Sequence, residues 1–284
     1  MKNVPTAINP HAAQLVSPLT LIKSLWRNRQ LIVQMTKREV VGRYKGSIFG
    51  LVWSFFNPIL MLMVYTFVFS EIFNARWGGL GGDESKTQFA VVLFVGMIVQ
   101  GLFSEVLNRA PTLVLSNVNY VKKVVFPLEI LSVITMGAAL FHCLVSLLVL
   151  LVAFFWFNGY LQWTAFFIPL VLMPLVILTM GFAWVLASIG VFLRDVGQAI
   201  GIITMVLMFL APVFYPITAV PEKFRVFIMA NPSTFIIEQA REVLIWGHLP
   251  NWMGLGVYSL FALVFAWLGY ALFQKTRKGF ADVL

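Results

Sequence analysis

The sequence predicts an all-α integral membrane protein, and three observations carry that expectation. No Asp, Glu, Lys or Arg occurs between Ile130 and Leu193, nor within Ile48–Ser70, Phe89–Ser104, Val196–Pro221 or Val243–Gln274. An α-helix needs about 20 apolar residues to cross a hydrocarbon layer of about 30 Å. Of the 284 residues, 60% are hydrophobic and the mean hydropathy is +0.90, far from a soluble domain. Finally, Asn158, Gly159, Tyr160, Leu161, Gln162 and Trp163 interrupt the longest run at its middle and divide it into two helices.

Taken in order, residues 1–47 form a polar, basic N-terminus and residues 48–284 the membrane domain. The first apolar run begins at Ile48, so it is neither placed nor shaped like a cleavable signal peptide, and the N-terminus is expected to be retained. From Thr20 to Ser47, apolar Leu21, Leu25, Ile32, Val33, Val40 and Tyr44 recur at helical spacing, with Lys23, Arg27, Lys37, Arg38 and Lys45 mostly opposite. That pattern predicts an interfacial helix in the headgroup plane, although Arg29 and Arg43 fall toward its apolar face.

Six spans follow: Ile48–Phe73, Phe89–Leu107, Leu128–Phe157, Phe166–Leu193, Gly197–Tyr215 and Trp252–Phe273. An even number puts both termini on one side. Fifteen of the twenty Lys and Arg lie on that side, and five (Arg76, Lys86, Lys223, Arg225 and Arg241) lie opposite. The positive-inside rule then makes the termini cytoplasmic. This topology explains the formal charge of +9 better than nucleic-acid binding does.

Two connections are richer than loops. Asn108–Pro127 carries Leu113, Val114, Leu115, Val118 and Val121, enough for a short amphipathic helix with a docking face on the cytoplasmic side. Between the fifth and sixth spans, Phe214, Tyr215 and Pro216 break the helix and Pro221–Ala230 reads as a short helix with Glu222 near its positive end. Asn231 and Pro232 stop it, and Ser233 or Thr234 can cap a second helix carrying Glu238 and Arg241. Such a hairpin is expected to be re-entrant and to line a pathway, the plainer alternative being an interfacial hairpin with a structural role.

The absences are as informative. No Gly-x-x-x-x-Gly-Lys-Ser/Thr occurs, so no phosphate-cradling loop of that kind is present, and no His-Glu-x-x-His or paired membrane carboxylates stand out. An ion-coupled carrier needs titratable groups near the bilayer centre, and only His142 qualifies, more simply read as a hydrogen-bonded bundle residue. Glu71, Glu105 and Glu129 fall near span ends. Cys143, the single cysteine, reads as an inert packing residue. Gly197 and Gly201, and the small residues Gly181, Ala183, Ala187, Ser188 and Gly190, suit close helix contacts within a protomer or between two. Aromatics such as Trp53, Trp156, Trp163 and Trp252 cluster at span ends, as in an interfacial belt, with a minority suited to stacking on sugar rings.

Several strings together resemble a known family. They are Arg43-Tyr44-Lys45-Gly46-Ser47-Ile48-Phe49-Gly50-Leu51-Val52-Trp53 with Asn57-Pro58, Asn119-Tyr120-Val121-Lys122-Lys123-Val124-Val125-Phe126-Pro127, Asn231-Pro232 before Ile236–Leu244, and a terminal Phe280-Ala281-Asp282-Val283-Leu284. In this order they are similar to ABC-2 type permeases of polysaccharide exporters, closest to O-antigen exporter permeases, with teichoic acid and capsule exporter permeases as relatives. The resemblance implies a homodimeric half-transporter with no cofactor of its own, bound to two copies of a separate ATP-binding subunit that holds ATP and Mg. It implies a non-enzymatic transport subunit in the inner membrane, in contact with membrane lipid, that moves lipid-linked polysaccharide from cytoplasm to periplasm. It also implies a coupling helix over Leu113–Lys123, where Leu113, Asn119 and Tyr120 meet the partner beside Arg38 and Glu39, and Lys122 and Lys123 contact either the partner or lipid phosphate. Periplasmic gate helices would lie within Pro221–Leu244, with Phe214, Tyr215, Pro216, Glu238, Arg241 and Trp53 along the path. The alternatives are an ABC-2 permease for a drug or small lipid, an ion-coupled carrier, and a membrane-embedded transferase, for which Asp195 beside Arg194 is the thin acidic basis; that pair reads better as a tight turn.

Overall fold

The computed structural model describes residues 17–72, 86–122 and 126–284, and every regular element among them is helical. The expected single interfacial helix is two. α1 (Pro18–Arg27) starts at a capping box between Ser17 and Thr20, and α2 (Arg29–Arg43) follows after Asn28, whose side chain bonds back to the Ser24 carbonyl at 2.8 Å. Leu21 and Leu25 pack inward against the core, while Leu19, Ile22 and Trp26 form an exposed apolar strip on α1. Val33, on the apolar stripe of the sequence, does not join them and is exposed.

α3 (Trp53–Tyr65) is led in by a 3-10 turn and extended by a π turn to Ile72, and α4 spans Lys86–Arg109. After two 3-10 turns comes α5 (Val118–Lys122), then α6 (Ile130–Asn158), α7 (Ile168–Phe192) and α8 (Val196–Leu210). The polar break predicted at 158–163 is real: Gly159 closes α6 at φ +76°, a left-handed conformation that a side chain disfavours. Arg194 and Asp195 form the short α7–α8 turn. α9 (Glu222–Met229) and α10 (Pro232–Arg241) precede α11 (Trp252–Thr276) and the terminal α12 (Phe280–Val283).

Among the described residues, five helical stretches are long and apolar enough to cross a membrane: Gly50–Phe69, Phe89–Thr112, Ile130–Asn158, Trp163–Phe192 and Trp252–Val283. The sixth expected span differs. α8 has 15 residues, or about 22 Å at 1.5 Å per residue, and stops at Leu210 although the apolar run continues to Tyr215. Pro212 is the reason: it cannot donate, and it pushes Ala211 into the extended backbone seen there (φ −81°, ψ 150°).

α7 and α11 approach most closely where Gly181 and Gly269 cross; a Cβ on Gly269 would sit 2.5 Å from the Gly181 carbonyl oxygen. Thus Gly181 works within the protomer, whereas Gly197 and Gly201 face open space on α8. α4 is buried along most of its length, but α3 buries only the stripe Ser54, Pro58 and Leu62. Ser24 and Arg277 both donate to Glu129, so the described ends of the chain meet at the same end of the bundle, called near below; Thr164 and Val243 meet at the far end.

Candidate functional site

Two arrangements concentrate the polar chemistry. At the near end, residues 110–122 wedge between α4 and α7. Pro111 lies directly on Gly190, where any Cβ would run into the Pro111 backbone. Leu113, Val114 and Val121 are buried in the protein's own core, and Thr112, Ser116 and Asn119 are exposed. The apolar side expected to dock outward is therefore turned inward, because a segment laid over a helix gap must fill it; the outward face is polar. Tyr120 accepts a hydrogen bond from Arg38 of α2 at 3.1 Å, and Glu39 pairs with Arg109 of α4. Leu113, Asn119, Tyr120, Arg38 and Glu39 thus share one end of the bundle. The Lys122 side chain and Lys123 lie outside the described residues.

One turn further along α2, Arg43 donates to Glu105 of α4 at 2.6 Å, and His142 of α6 lies 3.1 Å from the same carboxylate. Arg43, out of place on the sequence's apolar stripe, therefore has a carboxylate partner although it stays exposed. His142 sits about 18 Å into α6, level with the end of α2, because α6 outruns a bilayer and its first turns pack on α2. Beside this cluster a cavity of about 230 Å³ lies between α3, α4 and α6, with Asn57, Glu105, His142 and Ser146 on its wall. It has room for water against the Glu105–His142 pair. Among the described residues no three His, Cys, Asp or Glu side chains converge as metal ligands. Cys143 is buried beside His142.

At the far end, α9 and α10 form a hairpin whose turn points into the bundle. Asn231, not Ser233 or Thr234, caps α10: its side chain accepts from Ser233 N at 3.1 Å and donates at 2.7 Å to the Leu207 carbonyl in the last turn of α8, which also accepts the Ala211 N–H. Tyr258, about 9 Å into α11, donates to the Pro232 carbonyl at 2.7 Å. The other end of the unit surfaces, where Thr164 and Gln162 bond to the carbonyls of Val243 and Ile245.

Arg241 holds this hairpin in place. It is 1% exposed, and its guanidinium donates to the carbonyls of Val92 on α4 and Val213, each at 3.2 Å, and to Glu238 at 2.8 Å. Gly96 makes room, since a Cβ there would stand 2.9 Å from Arg241 Nη2. With the arginine this buried, the pair is not a surface ion pair. Burial lowers the guanidinium to about 10, so it remains charged at neutral pH, and burial raises the Glu238 carboxyl against the opposing pull of Arg241. Tyr215 donates to the Phe209 carbonyl at 2.9 Å, Phe214 stacks between Phe69 and Phe209, and Pro216 follows in extended backbone. Trp53 does not join them: it packs on Phe49 and Phe56 about 24 Å from Phe69 along α3 and its π extension.

Sequence reasoning left Gly96 and Arg277 unremarked and placed Glu129 only at a span end. The signal for Arg241 and Arg277 was their type, a cation inside or beside a long apolar run. Nothing local marks Gly96.

Residues 30–245 match the family described as ABC-2 type transporter. The chain is 26% identical over 256 residues to an O-antigen export system permease protein RfbA of Klebsiella pneumoniae, covering 89% of this chain and 95% of that one. It is 24% identical over 266 residues to the RfbA permease of Myxococcus xanthus, covering 93% and 99% respectively. A polysialic acid transport protein KpsM of Escherichia coli is 24% identical over 246 residues, covering 85% and 91%.

Proposed function

This chain belongs to the ABC-2 type transporter family, and on that premise we propose that it is the membrane subunit of an ATP-driven exporter of lipid-linked polysaccharide, of the O-antigen kind, across the inner membrane. The observation that carries the reading is near full-length likeness to permeases named for O-antigen export. Two copies of this chain form the path, and two copies of a separate ATP-binding subunit dock at the near, cytoplasmic end.

Six crossings are supported by the meeting of Ser24 and Arg277 on Glu129, because five full crossings would leave the chain ends on opposite sides. α8 with its extended tail 211–216 makes the remaining passage, and the α9–α10 hairpin reaches inward to meet it. Irregular backbone at that depth is tolerated because it is enclosed by protein: Ala211, Val213, Ile236 and Ala240 have no exposed surface. In this reading the hairpin is the periplasmic gate.

Closure of the ATP-binding subunits displaces residues 110–122, whose polar outer face they contact. α4 carries the motion as a rigid body. It is held at the near end through Arg109–Glu39 and the Asn108–Thr204 bond of 3.0 Å, and at the far end through the Val92 carbonyl on Arg241. The exposed face of α3 and the open Gly197–Gly201 face of α8 are left for lipid, substrate and the second copy.

The test is genetic and biochemical. Deletion of the chain in its native cell should leave lipid-linked polysaccharide on the cytoplasmic side and strip it from the surface, and re-expression should restore it only with an ATP-binding partner competent to hydrolyse ATP. Unchanged surface polysaccharide after deletion would refute the proposal.

A further inference from the structure

Glu129 has no exposed surface, and both carboxylate oxygens are engaged. Arg277 Nη1 donates to Oε2 at 3.1 Å, and the Ser24 hydroxyl donates to Oε1 at 2.9 Å. Arg277 is itself 5% exposed and gives Nη2 to the Phe126 carbonyl at 3.0 Å, while Trp184 of α7 donates its indole N–H to the Glu129 carbonyl at 3.1 Å. One residue therefore joins α1, the approach to α6, α7 and the C-terminal turn.

A buried ion pair is a poor way to gain stability, because the desolvation of two charges offsets most of their attraction, and an apolar pair of equal volume does as well. What it adds is a fixed geometry, and the neighbouring contacts show what is fixed. Phe126, held by Arg277, stacks on Tyr120 of α5 with ring centroids 4.4 Å apart. Tyr120 in turn accepts from Arg38 of α2. On the other side Phe280 of α12 is fully buried against Phe192 and Phe273, and α12 lies against α5. The segment 110–122 is thus gripped between α2 and the C-terminal turn, and Glu129–Arg277 closes the grip at the root of α6.

We propose that Glu129 and Arg277 are positioning residues that lock segment 110–122, the C-terminal turn and the base of α6 into one rigid unit, so that displacement of the segment moves the spans instead of being absorbed locally. This deepens the proposed function and rests on its reading of 110–122 as the surface moved by the ATP-binding partner.

The test places a spin label at Asn119→Cys, on the exposed face of α5, in a chain whose Cys143 is replaced by alanine. The chain is reconstituted in lipid nanodiscs with its ATP-binding partner, with and without ATP and vanadate. Against that background stand E129Q, nearly isosteric; S24A, which removes only the bond to α1; R277K, which keeps the charge but not the fork; and L150A. Leu150 is a core residue about 30 Å along α6, so L150A is the control for lost stability alone.

E129Q and S24A should mobilise the label before ATP is added, and E129Q should cut its ATP-dependent change about tenfold, the scale of a site-to-site coupling. R277K should fall between, and L150A should leave both readouts at the background level even where its Tm falls as far. E129Q behaving like the background or like L150A overturns the proposal, and if E129Q does not accumulate, S24A behaving so overturns it. A background label that ignores ATP with the partner bound refutes the docking reading itself, and the positioning proposal falls with it.

Discussion

Replacing Arg241 with methionine removes the far-end clasp while keeping the aliphatic stem that fills its channel. At least three acceptors lose a donor: the buried carbonyls of Val92 and Val213, and the Glu238 carboxylate. The Val213 carbonyl, left unmet, costs about 1–3 kcal/mol, and the Val92 carbonyl, which keeps its helical N–H partner inside α4, costs less. Breaking a buried pair by removing one partner costs about 3–5 kcal/mol. These overlap, and Glu238 is 35% exposed, so water recovers part of its loss. The net expectation for R241M is about 3–5 kcal/mol, which on the scale of globular domains is a Tm lower by at least about 6 °C. Thermal scans of intrinsic tryptophan fluorescence on the purified protein in detergent measure it. E238A removes only the half-exposed partner and leaves Arg241 on its two carbonyls, so it should cost clearly less. Gly96→Ala should reproduce a fraction of the R241M loss, because its Cβ would meet the guanidinium at 2.9 Å. The reasoning is refuted if R241M melts within about 1 kcal/mol of wild type, or if E238A is the more damaging of the two.

The two sets of glycines separate by the same measurement. G269A, whose Cβ would meet the Gly181 backbone, should destabilise the fold, whereas G201A, which meets nothing within 4 Å, should be neutral or gain up to about 1 kcal/mol from helix propensity; equal losses would mean the α7–α11 crossing is not what Gly269 serves. Glu238 also sets a pH dependence. Its folded pKa is raised above 4.5 by burial, so the folded state holds the proton more tightly, and the residue's contribution to stability falls as pH rises from 4.5 through the folded value. E238Q should therefore gain on wild type in Tm as pH rises through that window, and parallel curves would contradict the assignment.

Much of the architecture was legible because it follows from solvent. A charge-free run must be helical to satisfy its own backbone in lipid, so the helical stretches Gly50–Phe69, Phe89–Thr112, Ile130–Asn158, Trp163–Phe192 and Trp252–Val283 could be read by length and composition to within a few residues over most of their length, as could the break at 158–163. The fifth run misled at its end: hydropathy continues to Tyr215, but Pro212 ends the helix at Leu210. The interfacial segment showed its apolar stripe but not its division at Asn28, where no Pro or Gly marks the break. Within 110–122 the amphipathic pattern was visible, yet a pattern states only that one side is buried, and the burying surface proved to be α4 and α7 of the same chain.

By itself, then, the sequence determined that the chain lies in a membrane, which stretches are helical, and, from its strings, which family it resembles. Those properties are set by local backbone chemistry and by the hydrocarbon around it. Only the tertiary structure decided which charges act together. Arg43, Glu105 and His142 come from three helices, Glu129 and Arg277 lie 148 residues apart, and Arg241 reaches a carbonyl 149 residues away. A charge removed from water must find its partner in space, and no spacing along the chain records where that partner will be.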